Sequence, residues 1–301
     1  MEYTDFGRTG LRVSKLGLGG APIGGDFGAA DEKEIERVIH ESLDLGINFM
    51  DTAPLYGMGK SEERIGKALI GGKREQVVLA SKAVRRDLSY DFNSTISSVE
   101  GSLKRLRTDR IDLLQIHDVE NQAYDTIIDE TLPAIHKLKQ EGKVRFIGVT
   151  TRDLSLLKRY METGLFDSIQ FYARYMLIDH SASQEILPLA RKLGIAVING
   201  SVLGMGILAD APASFLNEDI LTNAAKRMDE LAFLRQSEPK GLIEPAMRFS
   251  LENPDIHVSL TGTASMKSLR ANASYCDGIG LDPEQHTCVM DLFRNAPPLF
   301  P

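Results

Sequence analysis

The sequence predicts an α/β fold, a (β/α)8 TIM barrel, and three observations carry that expectation. Eight short apolar runs of strand length alternate with amphipathic stretches along the chain. Several of those stretches stop at a glycine just before the next apolar run. The 301 residues, 43% hydrophobic and 26% charged, suffice for one large barrel or two ordinary domains. The continuous alternation favours a single barrel domain spanning residues 1–301.

The elements follow in order. FGRTGLRVSKLGLGG has strand-like residues on both sides of Gly7 to Gly10. It reads as an N-terminal β-hairpin ahead of the first barrel strand, placed to plug the barrel floor. Strand-like runs begin near Ser14, Asn48, Val77, Asp112, Val144, Ser168, Ala196 and His257. Between them, stretches such as DEKEIERVIHESLDLG, NSTISSVEGSLKRL and SQEILPLARKLG repeat apolar residues at helical spacing. Gly46, Gly142, Gly164 and Gly194 stand where a left-handed cap returns a helix to a strand. The interval before the eighth run, from MGILADAP to SLENPD, exceeds one helix and predicts an extra helix or lid near the rim.

Composition narrows the function classes. The net charge of −7 is spread along the chain, and a pI of about 5.5 gives no reason to expect nucleic acid or an anionic membrane as partner. Cys276 and Cys288 are the only cysteines and lack metal-ligand spacing with histidine, so no disulfide framework and no metal are expected. The N-terminus has no basic flank followed by an apolar core, and no apolar run reaches eighteen residues. A reduced, cytoplasmic protein is the expectation. The terminal APPLFP either covers the barrel or meets a neighbouring subunit, which leaves the oligomeric state open.

Chemistry gathers at the outgoing ends of three consecutive runs. NFMDTAPLY carries Asp51 and Tyr56, VVLASK ends on Lys82, and DLLQIH ends on His117. Parallel strands deliver those side chains to the C-terminal rim, where barrel active sites lie. A phenol titrating near 10 exchanges protons poorly at neutral pH unless a cation favours its phenolate, and Lys82 supplies that charge. Asp51 would keep Lys82 protonated and oriented, and His117 would hydrogen-bond a substrate oxygen opposite Tyr56. The four form a proton shuttle beside a carbon that gains or loses hydride. Singly, each has a structural explanation; together, at one rim, they point to an enzyme.

At these residues the chain resembles the aldo-keto reductases. FGRTGLRVSKLGLGG, GINFMDTAPLYGMGKSEERIGKAL, SLKRLRTDRIDLLQIHD and GKVRFIGVT follow the family pattern in order and spacing. The resemblance implies a (β/α)8 barrel, a nicotinamide cofactor, and Asp51, Tyr56, Lys82 and His117 as the catalytic tetrad. GLGGAPIGG is not a Rossmann loop, because Pro22 stands where the third glycine is required. The resemblance instead lays the dinucleotide across strands seven and eight. Ser201, Leu203, Gly204 and Gly206 match the pyrophosphate loop and would offer hydroxyl and N–H groups. Gly262, Thr263, Ser265, Ser268 and Asn272 match the adenosine-phosphate end, and Gln170 matches the glutamine that holds the carboxamide.

Basic clamps for a 2′-phosphate are absent at Ala264 and Ser268, although Lys267 and Arg270 lie close, so NAD is expected ahead of NADP. Gly200 stands where many members carry a stacking aromatic, and Thr150-Thr151 where Ser-Asn is usual. LLQIHDVE, DETLPAIHKLKQEGKVRFIGVT and VLGMGIL look most like the aldose 1-dehydrogenase branch acting on L-galactose, L-fucose or D-arabinose. That implies oxidation of the anomeric carbon of a free sugar to a lactone. Asp118 and Glu120 stand to meet sugar hydroxyls, with Phe27, Tyr172 and Tyr175 as aromatic pocket candidates. The alternatives are an NADPH-dependent aldehyde or ketone reductase, a nicotinamide-binding redox-sensing subunit, and a barrel enzyme using Lys82 as a Schiff base.

Overall fold

The computed structural model describes residues 1–28, 31–238 and 240–300. β1 (Tyr3–Asp5) and β2 (Arg12–Ser14) pair antiparallel as the expected hairpin. Eight parallel strands follow: β3 (Leu16–Gly19), β4 (Phe49–Asp51), β5 (Val78–Lys82), β6 (Ile111–Ile116), β7 (Val144–Thr150), β8 (Ser168–Tyr172), β9 (Ala196–Gly200) and β10 (Val258–Gly262). They close in chain order, with β10 hydrogen-bonded to both β9 and β3. Strands covered on both faces read as apolar runs, and β6, IDLLQI, is buried throughout.

Local signals set the helices between them. Helix Glu32–Asp44 opens at Asp31, whose carboxylate accepts the Glu34 N–H. Helices Phe92–Leu106 and Leu154–Glu162 open at Asp91 and Asp153 in the same way. Gly46, Gly142, Gly164 and Gly194 all adopt positive φ, between +65° and +85°, and return the chain to β4, β7, β8 and β9.

The hairpin closes the N-terminal end of the barrel. Phe6 and Val13 pack with Phe49, Ala80, Leu113, Ile198 and Val258, and the Phe6 and Phe49 rings lie 5.6 Å apart. Removing a fully buried phenylalanine loses its transfer energy and leaves a cavity. Phe6→Ala is therefore expected to destabilise the fold by about 3–5 kcal/mol. Urea unfolding checks this through the midpoint at unchanged slope; a midpoint equal to wild type would mean the hairpin only rests on the barrel.

The long interval before β10 holds two helices. Ile243–Glu252 packs beside β10, and Glu218–Glu230 is the extra one. Arg227 of the extra helix donates to Ile178 O at 2.7 Å and to Pro297 O at 2.7 Å. The terminal segment is buried here: Leu299 N–H donates to Asp179 Oδ2 at 2.7 Å, and Arg174 donates to Phe300 O at 2.7 Å. Leu299 and Phe300 thus cover the loop that leaves β8. Helices Met266–Ser274 and Pro283–Phe293 complete the wall and had not been read from the sequence. Among the described residues, no helix is long and apolar enough to cross a membrane.

Candidate active site

Asp51 and Lys82 end neighbouring strands β4 and β5, and the barrel brings them into contact. Lys82 Nζ donates to both Asp51 oxygens at 2.8 Å and to Thr52 O at 3.1 Å. Gln115 Nε2 donates to Asp51 Oδ1 at 2.9 Å. The pair is 1–2% exposed, where an unpaired charge would be strongly disfavoured. Burial alone would pull the Lys82 pKa down, but the facing Asp51 carboxylate and Tyr56 keep it above the usual lysine value. The ammonium is thus fixed in place and charged.

Tyr56 opens a tight turn, Tyr56–Gly59, immediately beyond β4. Gly57 (φ +57°) presses against the backbone of Gly24, and a Cβ there would lie 2.2 Å from Gly24 O. Asp26 accepts the Gly57 N–H at 3.1 Å, so the loop after β3 clamps the turn that carries the tyrosine. The half-buried Tyr56 has Lys82 Nζ 5.0 Å from its ring centroid and the His117 ring 6.1 Å away, edge to face. Burial pushes its phenol up to about 12; Lys82 pulls it down, while Asp51 and Asp118 push it further up. Lys82 is where the sequence placed it, but burial outweighs its charge. Tyr56 is therefore a phenol at neutral pH, and Lys82 offsets only part of the effect of burial.

His117 follows β6 and is 3% exposed. Its Nδ1 is buried without a partner, and burial together with the Lys82 and Arg86 charges holds its pKa well below the usual imidazole value. It is neutral at physiological pH. Asp118, expected to meet sugar hydroxyls, is only 7% exposed and sits on a left-handed backbone (φ +40°) directly after His117. The Thr150 hydroxyl accepts the Asp118 N–H at 2.9 Å. Burial, reinforced by Glu120, raises the Asp118 carboxyl to about 6.

Across the rim, Gln170 on β8 is nearly buried and its Oε1 has no partner. Tyr172 lies two residues further on the same face, with the Arg152 guanidinium 5.9 Å from its ring centroid. Tyr175 belongs to the core, a correction to its pocket assignment. Its ring stacks on Phe249 at 4.8 Å, because Ala173 (φ +54°) breaks the alternation of β8 and redirects the chain. Phe27 is half exposed and meets Phe215 edge to face at 5.7 Å, joining the loops that leave β3 and β9.

The loop after β9 departs from the phosphate-donor expectation. The N–H groups of Gly204 and Gly206 donate to Ser201 O at 2.7 Å and Leu203 O at 3.1 Å within the loop. These glycines shape it: a Cβ on Gly206 (φ +91°) would lie 2.1 Å from Ala211 O. The Ser201 hydroxyl and the Leu203 N–H make no such bonds inside the described residues.

Gly262, which ends β10, and Ser265 beyond it are exposed, and Thr263 is buried. Ser265 caps helix Met266–Ser274, which carries exposed Ser268 and buried Asn272. That helix opens at the rim with Ser265 N–H turned to Thr263 Oγ1 at 3.0 Å. Arg270 is drawn to Glu41 at 2.6 Å, and Lys267 makes no ion pair among the described residues. Among those residues, no cluster of three His, Cys, Asp or Glu could hold a metal ion. A groove of about 560 Å³ lined by Lys60, Arg64, Lys67 and Arg107 lies on the outer wall and shares no residue with this rim.

The sequence reading had missed Gln115, Asp26, Arg86 and Phe215. Gln115 alone left a signal, a polar residue two before His117 in an apolar run and so on the same strand face.

Comparison with known proteins agrees with this geometry. The aldo/keto reductase family model matches residues 15–292. L-galactose dehydrogenase from Arabidopsis thaliana is 34% identical over 296 residues, 94% of this chain and 92% of that protein. D-threo-aldose 1-dehydrogenase from a Pseudomonas species is 27% identical over 88% of this chain and 90% of its own length. Aldo-keto reductase AKR11C1 from Bacillus halodurans, solved in its holo form, superposes with a TM-score of 0.80 at 28% identity, covering 97% of this chain and 96% of that one. A family match running from the edge of β3 into the last helix, on a closed eight-stranded barrel, makes this chain an oxidoreductase of the nicotinamide-dependent aldo/keto reductase family.

Proposed function

We propose that the protein is an aldose 1-dehydrogenase that oxidises the anomeric carbon of a free sugar to a lactone, with NAD preferred over NADP. The observation that carries this reading is the cluster of Tyr56, the Lys82–Asp51 pair and neutral His117 at one rim, with a second carboxylate, Asp118, directly beside it. The names of the two sugar-oxidising relatives support the substrate class.

Three features support a dinucleotide at the rim. Gln170 offers an unpartnered amide oxygen for the carboxamide, Gly200 lets Tyr172 and Phe171 approach so closely that a Cβ would lie 3.2 Å from Tyr172 Cβ and from Phe171 O, and helix Met266–Ser274 turns its N-terminus to the same edge. Gln170, Ser201, Leu203, Gly262, Thr263, Ser265, Ser268 and Asn272 would hold it. When bound, the nicotinamide supplies the acceptor for the C1 hydride.

The chain's own residues manage the proton. His117 is neutral and carries one N–H; the Asp118 carboxylate 3.8 Å from Nε2 favours that proton on Nε2, aimed at the anomeric oxygen. Tyr56 would take the anomeric hydroxyl proton as phenolate, the form that Lys82 favours. Asp51 and Gln115 keep Lys82 aimed and charged. Arg270 is engaged by Glu41, which weakens the case for a 2′-phosphate clamp.

Initial rates with NAD and NADP against L-galactose, L-fucose, D-arabinose and simple aldehydes test the proposal. Sugar oxidation with NAD is expected to be the fastest reaction, giving a lactone as product. Aldehyde reduction with NADPH as the only turnover would replace it with a reductase, and dinucleotide binding without any turnover would replace it with a sensor.

A further inference from the structure

His117 and Asp118 leave β6 one after the other, and neither side chain has its full set of partners. No hydrogen bond within the described residues reaches the His117 ring, which is almost completely buried. Asp118 Oδ1 has only the Thr150 hydroxyl, at a long 3.4 Å. Asp118 Oδ2 stands 3.8 Å from His117 Nε2 and 3.8 Å from Arg86 Nη1, beyond hydrogen-bond reach of both. A carboxylate removed from water without a short hydrogen bond weakens the fold. The turn that holds it is left-handed (φ +40°), a region uncommon outside glycine although aspartate tolerates it better than most. Asn121 braces that turn by donating to Asp118 O at 3.1 Å. A second acid on the turn, Glu120, also has a buried oxygen without a partner. Such features persist where a ligand completes them.

The shape of the gap identifies what would complete it. Nε2, carrying the imidazole proton, is a donor and Oδ2 an acceptor, and the two lie 3.8 Å apart. Two oxygens on adjacent carbons span such a pair: one takes the imidazole N–H, and the other, as a hydroxyl, donates to the carboxylate. We propose that Asp118 is a specificity-determining residue that accepts a hydrogen bond from a hydroxyl on the carbon next to the reacting one. The preferred substrates are then 2-hydroxy aldehydes, open or cyclised. In the sugar direction this rests on the dehydrogenase reading above. A substrate lacking that hydroxyl would leave a buried carboxylate without a short hydrogen bond, a stronger basis for rejection than a missing apolar contact. Glu120 and Arg86 act electrostatically on both Asp118 and the Tyr172 phenol, so these side chains gather around Asp118 and are candidates for hydroxyls further along the chain.

The test pairs a protein group with a substrate group. kcat/KM is measured for the fastest aldose and for its 2-deoxy counterpart, in wild type, Asp118→Gly and Asp118→Asn. Glycine keeps the left-handed backbone without strain, and asparagine keeps the shape without the charge. Wild type is expected to favour the 2-hydroxy sugar by about 10–100-fold, as for a hydrogen bond to a charged group. The preference should nearly vanish in Asp118→Gly and be intermediate in Asp118→Asn. Melting at pH 8 gives a second readout: Asp118→Asn is expected to melt higher than wild type. An unchanged preference in both variants, with lowered melting temperatures, marks a merely structural carboxylate and overturns the assignment. If wild type oxidises no aldose, the dehydrogenase reading fails on its own. The same ratio is then read in reduction, lactaldehyde against propionaldehyde, where equal ratios in wild type and variants overturn the role of Asp118.

Discussion

Tyr56→Phe is expected to lower kcat for oxidation by about 10²–10⁴-fold, the span usual for loss of a positioned acid–base group. The ring remains, so its packing against His117 and beneath the Lys82 ammonium survives. Dinucleotide affinity, read by fluorescence titration, should stay near the wild-type value. The wild-type pH profile has a definite sign. With the phenol raised to about 12, the phenolate that accepts the substrate proton is scarce at neutral pH. Oxidation should therefore quicken as pH rises, while reduction, which uses the phenol as donor, should not. Lys82, held above the usual lysine value, stays charged from neutral to moderately alkaline pH and holds the background constant there. Oxidation that remained within threefold of wild type in the phenylalanine variant would remove Tyr56 from proton transfer.

The second large effect concerns the ion pair below it. Lys82→Met deletes the cation that both oxygens of Asp51 face and leaves a 2%-exposed carboxylate supported only by Gln115. Breaking a buried pair from one side destabilises by about 3–5 kcal/mol, because the surviving charge stays desolvated. For a chain of this size that is a fall in Tm on the order of 10 °C. Turnover should also collapse, since Tyr56 loses the charge that lowers its phenol. The double variant Asp51→Asn with Lys82→Met separates the two effects. It should regain much of the lost Tm by removing the stranded carboxylate, yet none of the turnover. If the double variant melted at the sum of the two single losses, the residues would be acting independently, against the geometry described here.

Comparison of sequence and structure shows which signals are local. The barrel was legible because each strand is an apolar run stopped by glycine or polar residues, and left-handed glycines such as Gly46 and Gly194 mark the return to the next strand. The convergence of Asp51, Lys82 and His117 followed from strand order alone. Tyr175 and the Gly204–Gly206 loop depart from expectation, and the burial of Asp118 was not legible, for a shared reason. Ala173, Asp118, Ser201 and Met205 all adopt positive φ without being glycine. A sequence carries no mark of such turns, which are imposed by surrounding contacts. Ala173 turns Tyr175 into the core, Asp118 sits in a buried turn, and Ser201 and Met205 fold the loop so that its glycine N–H groups bond within it. Asp26 escaped notice for a related reason: its value lies in reaching Gly57, thirty-one residues away.

The plug formed by Phe6 and Val13 reaches beyond stability. With the lower end sealed by packed side chains, the cavity above is a cul-de-sac, and whatever enters by the rim departs by the rim. A dinucleotide draped over the edge between β8 and β10 would narrow that single doorway. The smaller molecule would then be last in and first out, so traffic through one mouth, more than chemistry, would set the order of events in each cycle.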